Sequence, residues 1–149
     1  MKTPDDISIN KTEQKPLSWS LLDMAIEESY QEISQQRDED PRKIYSSGVC
    51  EVISRLIKQK LEKYAEKIEI IIGGGWVVTT HEFLLVEIEG EIWVVDPTWQ
   101  QFLAKPDPGK PKVLKSRLNE LEVTLKKFGI QDRELAIWKD ALSKRKKLE

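Results

Sequence analysis

The chain holds one cysteine, Cys50, and one histidine, His81, and fifteen residues beyond the histidine stands Asp96, inside Val94-Val95-Asp96-Pro97-Thr98. Those three residue types are the nucleophile, the general base and the orienter of the base that thiol-based acyl transfer requires. The thiolate is the reacting species, so such chemistry also needs surroundings that draw the proton off the cysteine. Metal binding competes for the same residues and is poorly supported, because one His and one Cys would need carboxylates at a ligand spacing that the sequence does not show. No cofactor is expected. Gly73-Gly74-Gly75 lacks the GxGxxG spacing and is not followed by a helical pattern, so phosphate cradling is improbable.

The elements that must position the three residues follow from periodicity. Val49, Val52, Ile53, Leu56, Ile57, Leu61 and Tyr64 recur at helical intervals, which puts Cys50 in the first turn of an amphipathic helix. There the positive end of the helix dipole favours the thiolate, and the unpaired first-turn N–H groups suit a developing oxyanion. Phe83 to Glu89 and Glu91 to Val95 alternate about Gly90 and read as a hairpin. His81 opens its first strand, and Asp96 ends the second because Pro97 cannot continue a ladder. Counting outward from Gly90 pairs His81 with about position 99, so the His81–Asp96 contact needs a bulge or a longer turn.

The remaining pattern is mixed. Leu21, Leu22, Ala25, Ile26, Tyr30 and Ile33 form one stripe of a helix capped by Ser18 or Ser20 and ending near Gln36. Ile68 to Ile72 is a short strand, and Trp76 to Thr79 could extend it beyond the glycines. Pro106, Pro108, Gly109 and Pro111 mark a loop. A small strand over Lys112 to Leu114, a helix from Ser116 to Phe128 stopped by Gly129, and a last helix from Asp132 to Lys144 complete the reading. The bend at the glycines would bring Trp76 to the cleft. Trp19, Trp93 and Trp138 read as core, and Trp99 as core or cleft rim.

Size and charge narrow the function. At 149 residues and 39% hydrophobic content the chain suits a single domain with its own core, over 17–147, preceded by a flexible polar leader over 1–16. Lys plus Arg (24) nearly balances Asp plus Glu (26), and the charges beside His81 and Asp96 are Glu82, Glu87, Glu89 and Glu91, so a nucleic-acid partner ranks last. No membrane association is expected, since no apolar run is long enough to span a bilayer, and no signal peptide is evident. A lone cysteine forms no internal disulfide, which fits the cytoplasm or export by a machine that needs no cleaved signal.

The run from His81 to Thr98 resembles the His and Asp portion of the transglutaminase-like, papain-like superfamily, in which a His-aromatic-x-x-Val-Glu strand leads to Asp-Pro-Thr about fifteen residues on. Gly48-Val49-Cys50 before a helix resembles the superfamily's nucleophile segment, so the likeness spans roughly residues 46 to 102. Papain-fold toxin or effector modules of bacteria look nearest, through Asp96-Pro97-Thr98-Trp99-Gln100-Gln101-Phe102 and the trailing strand and helix. The resemblance departs at Val49, where an aromatic is familiar, and assigns no side-chain oxyanion donor. Ser46, Ser47, Gln100 and Gln101 are candidates by nearness in sequence.

What the resemblance implies is an α+β fold with a papain-like/transglutaminase-like core: helices ending in the Cys50 helix, packed on a small antiparallel sheet and closed by C-terminal helices. It also implies a Cys50, His81, Asp96 triad and an acyl-thioester formed on a protein amide, by deamidation, transglutamination or peptide cleavage. Trp76, Trp99 and Gln100 are the expected substrate-binding residues. A protein substrate and an immunity protein covering the cleft are the expected partners. The rival reading is a non-catalytic protein-binding module on the same scaffold, with Cys50 as core filler.

Overall fold

Helix α1, Trp19–Arg37, starts where Ser18 Oγ accepts from the Leu21 N–H, which selects Ser18 over Ser20 as the cap. It stops one residue beyond Gln36, at Asp38 in the left-handed region. The computed structural model describes residues 16–44, 49–73 and 81–148. Residues 1–15 of the expected leader, Ser46, Ser47 and Trp76 therefore lie outside the described residues. A single turn, α2 (Pro41–Ile44), precedes α3, Cys50–Lys60, which places Cys50 at the first helical position. A 3-10 segment, Glu62–Lys67, leads into the sheet.

The sheet is antiparallel throughout, in the order β1 (Ile68–Gly73), β2 (His81–Ile88), β3 (Glu91–Asp96) and β4 (Leu114–Arg117). Leu84 pairs with Val95 and Ile88 with Glu91, so two residues, Glu89 and Gly90, make the β2–β3 turn. Both have positive φ (55° and 80°), the geometry that matches the right-handed twist of a hairpin. Neither a bulge nor a longer loop is needed. Continued by one step, this register sets Asp96 across from Phe83. His81 is then its diagonal neighbour on the same face.

Side chains of opposite parity leave the sheet toward two separate cores. Leu84, Val86, Ile88 and Val95 meet Leu22, Ile26, Tyr30, Ile33, Ile53 and Ile57 of α1 and α3. Phe83, Leu85, Val94 and Leu114 meet Leu121, Leu125, Leu135 and Trp138 of α4 (Leu121–Lys127) and α5 (Asp132–Leu148). With helices on both faces, β2 is buried along nearly its whole length. The architecture is thus α+β, with a four-stranded antiparallel sheet.

Three boundaries differ from the sequence reading. The small strand is Leu114–Arg117 instead of Lys112 to Leu114, and it takes the first residues expected of the next helix, which begins only at Leu121 after a 3-10 turn. The last helix runs on to Leu148. A 3-10 turn, Trp99–Phe102, follows Asp96-Pro97-Thr98 and was not signalled by any periodicity. No described helix is long and apolar enough to cross a membrane.

Candidate active site

β1 ends at Gly73, β2 begins at His81 and β3 ends at Asp96, so three strand ends meet at one edge of the sheet. Cys50 approaches this edge from the α1/α3 layer, while His81 and Asp96 face the α4/α5 layer. The thiol and the imidazole thus come from opposite sides of the sheet and meet at its end.

His81 Nε2 lies 2.6 Å from Asp96 Oδ2, with both side chains fully buried. The carboxylate fixes the tautomer by taking the Nε2–H, which leaves Nδ1 for Cys50, the residue hydrogen-bonded to the ring on its other side. Asp96 is itself held by two further donors. The Thr98 N–H donates to Oδ1 at 3.0 Å, and the Trp138 indole Nε1–H donates to Oδ2 at 2.8 Å. A buried carboxylate with three N–H partners has both oxygens engaged and is held against rotation.

Aromatic rings enclose the imidazole. Phe83 stacks on it at 5.8 Å between centroids, and Phe102 and Trp138 stand edge to face with it at 4.8 and 5.6 Å. They keep water from the His81–Asp96 bond and so preserve its strength. Cys50, which retains 6% of its surface, is the member of the three that solvent can reach.

The electrostatics favour an ion pair. Burial pushes the Cys50 thiol up, but the hydrogen bond from His81, the backbone N–H of Glu82 and the imidazolium charge outweigh it, against opposition from Asp96, and the thiol lies below its ordinary range. For His81, burial acts downward. The charge and hydrogen bond of Asp96, followed by those of Cys50, overcome it and carry the imidazole up to about 9.

The Glu82 backbone is fixed from below as well. Ser54 Oγ donates to its carbonyl at 3.3 Å, and Arg55 grips its buried carboxylate through Nε (3.2 Å) and a terminal nitrogen (3.1 Å). This docking of α3 on β2 sets the thiol's position. Val49 offers no side-chain cap, so the first-turn N–H groups beside Cys50 have no intrahelical acceptor.

These shifts link the pair to stability. The raised His81 contributes stability fully present below 6.5, falling away as pH rises to about 9. The lowered Cys50 contributes nothing below its folded value, and its contribution grows as pH rises toward 9.0. Where both groups lie between their unfolded and folded values the two slopes oppose each other. Chemical denaturation at a series of pH values is therefore expected to show the stability gap between wild type and Cys50→Ser widening as pH rises toward 9.0. A gap independent of pH would mean that no ion pair forms.

Two expected substrate-binding residues are corrected. Trp99 has no exposed surface: it packs against Phe128 with its Nε1–H on the Pro111 carbonyl at 3.0 Å, because the 3-10 turn after Asp96 swings it into the core. Gln100 is turned the same way. Its carboxamide is spent on the Pro111 and Asp107 carbonyls and the Asp107 N–H, which pins the 107–111 loop. Gln101 is instead the residue beside the imidazole, half-buried, with Nε2 3.0 Å from Thr98 Oγ1 and 3.4 Å from His81 Nδ1. Sequence reading missed Trp138 and Phe102 as site residues, since apolar periodicity marks an aromatic only as core. Tyr30, on α1, donates its hydroxyl to the Pro97 carbonyl and ties the Asp96-Pro97-Thr98 turn to the other layer.

Among the described residues no three His, Cys, Asp or Glu side chains gather as metal ligands would. Comparison of the chain with family models, with curated proteins and with solved structures finds no match.

Proposed function

We propose that this chain is a cysteine-dependent amide hydrolase or acyltransferase of the papain-like/transglutaminase-like kind. The observation that carries the reading is the hydrogen-bonded file of Cys50, His81 and Asp96, in which Asp96 holds His81 Nε2 and the thiol is depressed while the imidazole is raised. The Cys50 thiolate attacks the carbonyl carbon, and the oxyanion is received by the first-turn N–H groups of α3. The His81 imidazolium gives its Nδ1 proton to the departing amine or ammonia, leaving an acyl-thioester. Neutral His81 then takes a proton from water or an incoming amine as it attacks the thioester carbonyl, which expels the Cys50 thiolate, releases the acyl group and restores the thiolate–imidazolium pair. Asp96 holds the ring and stabilises its charged form throughout. Gln101, on the Nδ1 side of the ring, is the candidate side-chain donor to the oxyanion.

Protein amides are the proposed substrates. The likeness to bacterial effector modules adds an immunity protein over the cleft as the proposed partner, an analogy drawn at the level of the fold.

The test is the pH dependence of iodoacetamide labelling of Cys50, with Cys50→Ser as the blank. Rapid labelling with a midpoint well below that of a free thiol is expected, slowed about tenfold or more near pH 6 by His81→Ala. Labelling that appears only on unfolding would make Cys50 core and leave a protein-binding module as the function.

A further inference from the structure

Asp96 Oδ2 accepts two hydrogen bonds, one from the base it orients and one from Trp138 Nε1 at 2.8 Å. Trp138 is wholly buried, and its ring also stands against both His81 and Phe102. Packing alone would be satisfied by any large ring, so the direction of the N–H is the informative feature. It occupies the oxygen that would otherwise be free to bind the Nε2 proton more tightly, or to take it.

We propose that Trp138 is a positioning residue of the triad, whose indole N–H takes up part of the accepting capacity of Asp96 Oδ2 and so limits how tightly that oxygen holds the His81 Nε2–H. The proposal rests on the thiol-enzyme reading above. An Asp96 relieved of the indole bond would grip the imidazolium harder, making it a weaker acid toward the leaving amine. With the bond in place, Asp96 steadies the charge without trapping the proton.

The titratable groups around this assembly are few. Cys50 faces the ring from α3, and Asp96 faces it from β3. From the turn at 99–102 come the neutral Gln101 and Phe102. On α5 the carboxylate of Glu134 lies one turn before Trp138, with Oε2 buried and without a hydrogen-bond partner among the described residues. The Glu82 side chain leaves β2 on the opposite face, toward Arg55.

Because His81 is the only histidine, its imidazole carbon-bound protons give one unambiguous NMR titration. In Trp138→Phe, and in the protein carrying 3-benzothienylalanine at 138, which keeps the bicyclic shape and lacks the N–H, the His81 midpoint is expected to rise by about one unit. A merely structural Trp138 predicts the opposite sign, since a loosened ring admits water that screens Asp96 and lowers the midpoint. An unchanged or lowered midpoint in the benzothienyl protein, with wild-type circular dichroism, overturns the proposal. Should both variants fail to fold, the wild-type Trp138 indole N–H resonance decides: it is expected to shift in step with His81, and a resonance that stays still while His81 titrates overturns the proposal. Failure of the underlying enzyme reading is seen separately, as a wild-type Cys50 that labels only like an ordinary thiol.

Discussion

Asp96→Asn is expected to lower acylation of Cys50 by a substrate amide by about 10³-fold or more, an effect on the scale of losing the orienting group in a triad. The loss follows from hydrogen-bond polarity. The wild-type carboxylate faces N–H donors on both oxygens, Thr98 on one side and His81 with Trp138 on the other. An asparagine has one oxygen to offer. If its NH₂ faces Thr98, two donors confront each other. If it faces His81, the ring must turn its lone pair to Nε2 and carry its proton on Nδ1, where it cannot act as base toward Cys50. Either way the imidazolium loses the charge that raises it, and His81 should titrate well below about 9. Iodoacetamide labelling at pH 6 together with the His81 NMR titration checks this. A variant that keeps both wild-type midpoints would show that Asp96 has no electrostatic role.

Trp99→Ala is expected to cost about 4 kcal/mol of folding stability, read as a lowered urea midpoint, because it empties a large core site. Trp99→Phe should cost only about 1 kcal/mol, since the Pro111 carbonyl it abandons still accepts from Gln100 Nε2. A substrate-rim tryptophan would behave in the reverse way: small effects on stability and a raised KM for both variants. The 4 kcal/mol outcome therefore separates the core position from the groove position expected from sequence.

The hairpin was legible because alternating apolar residues bracket Gly90, and Cys50 at a helix start was legible because the apolar stripe begins at Val49. Counting from Gly90 alone differs from the observed register by one residue, since Glu89 shares the turn in a left-handed conformation that nothing in a glutamate advertises. That single residue decides whether His81 and Asp96 are diagonal neighbours or need a bulge. Trp99 and Gln100 were misplaced because a four-residue 3-10 turn has no hydrophobic period to reveal which way it points. Trp138 was seen as core and is core. Its hydrogen bond to Asp96 joins residues 42 positions apart and is fixed only by how α5 lies on the sheet.

The convergence of two layers at one sheet end has a consequence for biosynthesis. His81 owes its charge to Asp96, Asp96 owes two of its donors to Thr98 and Trp138, and Cys50 reaches the ring only when α3 is docked on β2. On the ribosome, a nascent chain that has not yet released Trp138 therefore lacks one of the donors that hold Asp96, though all three members of the file have been translated. The closing of α5 on the sheet is thus the last step in assembling the surroundings of His81.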